Sequence, residues 1–352
     1  MNKKLFSLLI CSAVISLSSC TFDIGSMLPD GAGVIKDGSY FEVHYIDVGQ
    51  ADCELIICDG EAMLIDGGNV DDSDLVVSYL TDMDVSEIEY MLCTHAHEDH
   101  VGGLPGPLSK FKVDNVYAPE RESDTKCYRD FKEKAREAGG IINPENGDTV
   151  ELGSAEAVFY VPDVNDGDLN NTSIMCRITY GDTSFLFTGD AEAEAEKSVM
   201  ESGAELDADV LKVAHHGSSS STSDQFLDAV DPEYAVISCG KDNSYGHPHD
   251  ETLKRLHDKD VMIYRTDMNG HIVAESDGNE IVFASGKSPQ TQTDPYTEND
   301  SSAYGSCIGN KNTKKYHAPD CGGLPDEKNR VYFSSPEEAE AAGYEPCSQC
   351  GG

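Results

Sequence analysis

Tryptophan is absent from the 352 residues, and cationic side chains are scarce: 25 Lys and Arg stand against 65 Asp and Glu, a formal net charge of −40. Affinity for a phosphate backbone is built from clustered Lys and Arg, so this balance excludes a general polyanion binder. A chain this acidic that acts on a phosphate ester must take its positive charge from elsewhere, which points to a metal ion. Long apolar runs are also missing. Apart from 13 residues near the start, Leu5 to Leu17, nothing approaches the roughly 20 apolar residues of a membrane span. What is present is enough to fold: hydrophobic residues make up 39% of the chain, 32 glycines supply turns, and the length suits about two domains.

The first segment reads as an address. Lys3 and Lys4 precede the apolar run Leu5–Leu17, the pattern of an export signal over 1–19. The run closes on Leu17-Ser18-Ser19-Cys20, which resembles the lipobox of bacterial lipoproteins, with Cys20 lipidated as the first mature residue. The expectation is an exported chain, anchored in the cell membrane by lipid and otherwise extracytoplasmic. Without Lys3 and Lys4, 23 basic residues face 65 acidic ones, a charge of −42. Cys11 leaves with the signal, and Cys321, Cys347 and Cys350 belong to a site in the tail. The other seven, Cys53, Cys58, Cys93, Cys127, Cys176, Cys239 and Cys307, are odd in number and lie in apolar, strand-like segments. Most of them read as buried thiols rather than a disulfide framework, with one surface pair left open.

Residues 20–39 are a tether. From 40 to 286, short β-rich runs alternate with helical patterns. Strands are expected at Phe41–Val48, Cys53–Cys58, Ala62–Ile65, Tyr90–Cys93, Ala157–Val161, Ile174–Tyr180, Ser184–Phe187, Val210–Val213, Ala235–Ser238, Met262–Tyr264 and Ile281–Ala284. Helices are expected at Asp72–Met83, Asp124–Ala138, Ala191–Ser202, Ser223–Ala229 and Asp250–His257. Residues 287–304 are polar, contain proline and read as a linker, and a 48-residue tail over 305–352 follows. Strand ends repeatedly carry His, Asp and Gly, as in a layered α/β enzyme that presents its site at a sheet edge.

The densest chemistry is Thr94-His95-Ala96-His97-Glu98-Asp99-His100-Val101-Gly102-Gly103, directly after an expected strand. Imidazole and carboxylate are ligands for Zn or a similar divalent ion. His95 and His97 can face one ion, while Asp99 and His100 turn toward a second. Two ions need a shared anion and later ligands. Asp190, in Thr188-Gly189-Asp190, suits the bridge, and His215-His216 supplies further nitrogen.

This set, His-x-His-x-Asp-His-x-Gly-Gly with a strand-end Asp and a later His, resembles the metallo-β-lactamase superfamily. More narrowly, His44-Tyr45-Ile46-Asp47-Val48-Gly49-Gln50-Ala51-Asp52, Leu64-Ile65-Asp66-Gly67-Gly68, Leu211-Lys212-Val213-Ala214-His215-His216-Gly217-Ser218 and Tyr245-Gly246-His247-Pro248 resemble the soluble hydrolase domain of ComEC-type competence proteins. The resemblance covers about residues 40–285. It implies an α/β fold, an αββα sandwich, with two divalent ions, zinc by default and manganese as the alternative. By position it makes His95, His97, Asp99, His100, Asp190 and His215 metal ligands, with His216 the alternative to His215. Asp99, Asp190 and His247 take the catalytic roles, and Asp66, Asn171, Ser218 and His247 stand at the substrate rim. His249 reads as a polar residue at a helix N-terminus. Many superfamily members carry another His where this chain has Asn170-Asn171-Thr172-Ser173, and ComEC-like domains resemble it in having Asn there.

Two such ions can hold a hydroxide between them and polarise the group under attack. The implied function is a metal-dependent phosphodiesterase or nuclease-like hydrolase at the outer face of the membrane, acting on nucleic acid, nucleotide or a cell-wall polymer. The alternatives are an acyl hydrolase (lactone, thioester or β-lactam) and a non-catalytic surface-binding lipoprotein. Lys212, Arg177 and Lys241 read as solvated surface charges, and nothing calls for an oligomer.

The tail carries His317-Ala318-Pro319-Asp320-Cys321 and Cys347-Ser348-Gln349-Cys350, close to the spacing of structural zinc sites. A segment of 48 residues has little core of its own, so one structural Zn held by His317, Cys321, Cys347 and Cys350 is expected to staple it. Val331–Ala339 reads as a strand and then a helix. The tail resembles the zinc-binding module of the Ada DNA-repair protein, with His317 in place of a cysteine, which weighs against methyl acceptance. Five basic against seven acidic residues make it the least acidic part of the chain and the part best suited to touch a polyanion.

Overall fold

Side-chain alternation in the first strand sets the layers. In Phe41–Tyr45, residues Phe41, Val43 and Tyr45 join an apolar cluster with Phe159, Ile178, Phe185 and Phe187 from a second sheet. His44 faces the other way, its Nδ1 3.0 Å from the Tyr79 hydroxyl on the helix Ser73–Asp82. The computed structural model describes residues 41–285, 307–318, 321, 324–325, 329–333 and 336–347. The segments expected to be export signal and tether, with Cys20, the expected linker over 287–304, and Cys350 lie outside the described residues.

The first sheet runs in the order Ile281–Ser285, Ile272–Ser276, Phe41–Tyr45, Glu54–Cys58, Glu61–Ile65, Glu87–Leu92, Lys112–Tyr117, Ile141–Ile142. The second runs Met262–Arg265, Tyr234–Ile237, Val210–Lys212, Thr183–Phe187, Met175–Tyr180, Ala155–Tyr160, Thr149–Leu152. Their facing sides share one apolar core, where each fully buried large side chain contributes about 1.5–3 kcal/mol. The outer face of the first sheet packs on the helices Ser73–Asp82, Pro105–Lys110 and Lys126–Glu137, and that of the second on Ala193–Glu201, Asp224–Val230 and Asp250–His257. The architecture is the αββα sandwich.

All the expected strands and helices form, with ends shifted by a few residues. Further elements were not anticipated. Lys112–Tyr117 carries polar residues on its exposed positions, and Ile272–Ser276 buries a Glu and a Ser, so neither shows a clean apolar period. Pro105–Lys110 looks like a turn because of Pro105-Gly106-Pro107, yet proline is tolerated in a first helical turn, where its missing N–H has no partner anyway.

Two charges expected at the surface are inside. Lys212 is 1% exposed, its Nζ 2.6 Å from Asp52 Oδ2. The Arg177 guanidinium is spent on Asp207 O at 2.8 Å and Thr179 Oγ1 at 2.7 Å. Lys241 is exposed, as expected. Cys53, Cys58, Cys93, Cys127, Cys176, Cys239 and Cys307 are all buried free thiols.

In the tail a small sheet orders Arg330–Phe333, Cys307–Asn310, Lys315–His317 and Glu345–Pro346, with a helix at Pro336–Ala341. Its core holds Cys307, Tyr316, Phe333, Ala339 and Tyr344.

Candidate metal centre

Parallel strands bring their C-terminal ends to one edge. Glu61–Ile65, Glu87–Leu92 and Lys112–Tyr117 run parallel, so Asp66 and the segment Thr94–His100 leave the first sheet side by side. Gly67 N donates to His100 O at 2.7 Å and Gly103 N to Gly68 O at 3.0 Å. A Cβ on Gly103 would lie 1.9 Å from Gly67 O, so only glycine lets these loops close. From the second sheet, Thr183–Phe187 leads to Asp190 and Val210–Lys212 to His215 and His216. His215 and His216 are left-handed, at φ 51° and 54°, and His215 N is tied to Gly189 O at 3.0 Å. Such backbone costs on the order of 1–3 kcal/mol per non-glycine residue and marks a place where geometry is bought for function.

The ligand-type atoms fall into two groups that meet on Asp190. His95 Nε2 and His97 Nδ1 are 3.0 Å apart, and His95 Nε2 is 3.9 Å from Asp190 Oδ2. On the other side His100 Nε2 lies 3.2 Å from Asp190 Oδ1, and His216 Nε2 lies 3.3 Å from Asp99 Oδ2 and 3.8 Å from Asp190 Oδ2. Within each group the atoms all lie within 4.8 Å of one another. The buried His100 Nε2 and Asp190 Oδ1 face each other at 3.2 Å without the geometry of a hydrogen bond and have no other hydrogen-bond partner, an arrangement that a shared cation relieves.

The residues behind these rings decide which nitrogen is offered. His100 Nδ1 is 2.8 Å from Asp66 Oδ2 and His216 Nδ1 is 2.9 Å from Ser238 O, so both Nδ1 atoms donate and both Nε2 atoms face the site. Thr94 Oγ1 donates to Asp66 Oδ2 at 2.6 Å and can accept from His95 Nδ1 at 3.2 Å. Asp66 therefore orients His100 directly and His95 through Thr94. Asp52 lies 3.2 Å from His216 Nδ1 and is itself held by Lys212.

The electrostatics call for positive charge. Burial opposes charge on His100, but Asp190 and Asp66 hold its pKa well above the ordinary value. Burial is likewise outweighed at His216, which Asp190 and Asp52 carry up to about 10. Burial would raise the Asp190 pKa, yet His100, His216 and His215 keep it well below the usual carboxylate range. His95 is pushed well below its ordinary value by burial and by His100. A cation bound here takes the place of protons.

The donor chemistry fits divalent ions, with His95, His97 and Asp190 to hold one and Asp99, His100, His216 and Asp190 the other. The description of the metallo-beta-lactamase superfamily matches residues 46–241. The chain belongs to that superfamily. As a member it is a metal-dependent hydrolase. A second description, the metal binding domain of Ada, matches residues 292–351. ComE operon protein 3 of Bacillus subtilis (strain 168) is 31% identical over 251 residues, covering 66% of this chain and 32% of its own length. Competence protein ComA of Neisseria gonorrhoeae is 30% identical over 227 residues, 64% of this chain and 30% of its own. Recombination protein 2 of Haemophilus influenzae (strain ATCC 51907 / DSM 11121 / KW20 / Rd) is 29% identical over 244 residues, 66% of this chain and 28% of its own. The chain thus spans about a third of the length of these curated relatives. The metallo-beta-lactamase fold protein YhfI of Bacillus subtilis aligns with 67% of this chain and all of its own, at 16% identity and a TM-score of 0.47.

Several expected roles in this superfamily site are corrected by burial. Asp66, Asn171 and Ser218 are not rim residues: they are 0%, 2% and 0% exposed. Asn171 Oδ1 accepts from Glu192 N and Ala195 N at 3.2 and 3.3 Å, so it caps the helix Ala193–Glu201 and offers the first ion nothing. Ser218 Oγ turns to Ser220 Oγ at 2.9 Å. His216, rather than His215, completes the second group. His215 stays partly exposed, its Nδ1 3.3 Å from Glu192 Oε1 and its Nε2 3.9 Å from Asp190 Oδ2. His249 stands at the start of the helix Asp250–His257, its Nδ1 accepting from Ser219 N at 3.0 Å.

His247 is buried at 7% exposure beside His215 and His216, with ring centroids 5.5 and 6.1 Å away. Burial first, then His249 and His216, lowers its pKa to about 2, so the imidazole is neutral. Gln50 Oε1 accepts from Gly240 N at 3.0 Å, which aims the Gln50 amide nitrogen at His247 Nδ1, 3.3 Å away. The proton of His247 therefore sits on Nε2. Thr94, Gln50 and Asp52 had no assigned role. Gln50 and Asp52 sit inside the motif His44–Asp52, where their spacing to the site could have raised them.

In the tail, His317 Nδ1 is 3.4 Å from Cys321 Sγ, which is 3.7 Å from Cys347 Sγ. The two sulfurs are too far apart for a disulfide, whose S–S length is about 2.05 Å. These three form a metal-competent group, and Cys350 lies outside the described residues.

Proposed function

We propose that this hydrolase is a phosphodiesterase acting on nucleic acid, or on another phosphodiester, at the outer face of the membrane. The observation that carries the reading is Asp190, which belongs to both groups of ligand-type atoms: its Oδ2 is 3.9 Å from His95 Nε2 and 3.8 Å from His216 Nε2, and its Oδ1 is 3.2 Å from His100 Nε2. When bound, two divalent ions (zinc, or manganese as the alternative) supply positive charge toward the substrate and lower the pKa of water. Asp66, Thr94, Ser238 and Asp52 keep the ligand rings turned inward. His247 offers Nε2–H, a neutral donor for an oxygen on which charge develops or which leaves.

Support for a phosphodiester comes from two sources. Relatives are named for competence and for recombination, which concern nucleic acid. Two divalent ions held by this donor set would also supply positive charge that a chain of −40 otherwise lacks. With metal supplied, the protein should hydrolyse bis-p-nitrophenyl phosphate or DNA, single- or double-stranded, faster than nitrocefin or a lactone. The reverse order makes it an acyl hydrolase. The outer-face location rests on the lipobox-like Leu17–Cys20. A labelled fatty acid should mark the wild type and not Cys20→Ala, and label retained by the variant removes the anchor.

A further inference from the structure

The loop between Gly240 and His249 covers one side of the metal centre and is tied to itself through Asn243. Asn243 Oδ1 accepts from Tyr245 N at 3.1 Å and His247 N at 3.0 Å, while its Nδ2 donates to Gly240 O at 2.9 Å. Gly246, at φ +79°, makes the turn between the two aromatic residues. The result is a column of rings leading out of the site. His216 and His247 stack at 6.1 Å with an interplanar angle of 27°, and His247 and Tyr245 at 5.6 Å with 22°. His249 meets His247 edge-on at 4.7 Å and closes its side.

Tyr245 ends this column in water. It is 64% exposed, more than any other large hydrophobic side chain among the described residues. A ring held on a braced backbone, with one face packed and the other open, keeps an unsatisfied apolar surface at low conformational cost. A flat aromatic partner would extend the stack by one step.

We propose that Tyr245 is a stacking platform for a nucleobase next to the phosphodiester held at the metal centre, so that the substrate is a nucleobase-bearing, single-stranded phosphodiester. This rests on the phosphodiesterase reading and narrows it. A base must be unpaired and turned out of its helix to reach the ring, hence the single strand. Stacking is sequence-tolerant because every base has a π-face, and it carries no net charge. It can therefore hold nucleic acid on a protein whose charge of −40 repels a phosphate backbone and leaves few cations to grip it. A cell-wall phosphodiester without aromatic groups gains nothing from such a platform.

The test uses the metal-loaded full chain on an oligothymidylate and on an oligonucleotide of equal length whose bases are replaced by abasic tetrahydrofuran units. Wild type should prefer the base-bearing strand. Tyr245→Ala should lower that preference, the ratio of the two kcat/KM values, by about five- to a hundredfold, chiefly through KM. Tyr245→Phe should keep the wild-type ratio, since the ring face and not the hydroxyl is used. An unchanged ratio in Tyr245→Ala, or an equal loss in Tyr245→Phe, overturns the platform. Because the side chain is exposed, thermal unfolding of both variants should match wild type. If the wild type cleaves neither strand while hydrolysing an acyl substrate, the phosphodiesterase reading itself falls, and the platform with it.

Discussion

Replacing Asp190 by Asn should lower hydrolysis by about a thousandfold or more while leaving the fold in place. The amide has the shape of the carboxylate but no charge, and its nitrogen would turn N–H groups toward His95, His100 or His216. A neutral group of that kind is a poor bridge between two cations. The turn that carries residue 190 is held by other bonds: Asp190 N donates to Ser173 Oγ at 3.1 Å, and Gly189 O accepts from His215 N at 3.0 Å. Circular dichroism and thermal unfolding should therefore stay near wild type while bound metal falls. Asp66→Asn supplies the graded comparison. It keeps every first ligand but weakens the support behind His100 and His95, for which about 10- to 100-fold in metal affinity or activity is expected. Wild-type turnover with full metal content in Asp190→Asn would mean that Asp190 is no bridge and that the two-ion reading is wrong.

Removing metal from the tail should unfold it. The described core there is five side chains, Cys307, Tyr316, Phe333, Ala339 and Tyr344. An ion held by His317, Cys321 and Cys347, with Cys350 as the fourth ligand, contributes apparent binding free energies of about 10–16 kcal/mol, more than so small a core supplies. In the full chain, a chelator should abolish hydrogen-exchange protection between residues 307 and 347, and added zinc should restore it. A reductant alone should change nothing. Cys347→Ser should leave the segment unprotected even with zinc, while the first domain still hydrolyses a small soluble phosphodiester. Unfolding by reductant and not by chelator would show paired cysteines instead of a zinc site. Loss of hydrolysis in Cys347→Ser would show that the tail builds part of the centre.

The metal run Thr94–Gly103 was legible because its ligands are local: alternating rings after a short β-rich run leave few other readings. The strands and helices were legible for a similar reason, since period-2 and period-3.6 patterns are properties of neighbouring residues, whereas their αββα layering was implied by the resemblance to the superfamily. Pro105–Lys110 was not, because its prolines read as turn chemistry until their place in the first helical turn is known.

Roles that depend on partners distant in sequence had no local signature. Lys212 looks like a stray charge beside Val213 and becomes a buried pair only because Asp52, 160 positions earlier, meets it across the sandwich. Asn171 is expected at the substrate rim, where many superfamily members carry a His, but the helix Ala193–Glu201 claims its side chain. Two consecutive left-handed residues separate His215 from His216, turning His216 Nε2 to Asp99 at 3.3 Å and His215 Nδ1 to Glu192 at 3.3 Å. By itself, then, the sequence determined the ligand types, their order and the strands and helices that present them, because pattern and spacing are short-range. Only the tertiary structure decided which nitrogen faces the site, which carboxylate stands behind it and which charge is buried, because these follow from contacts between strand ends brought together by folding.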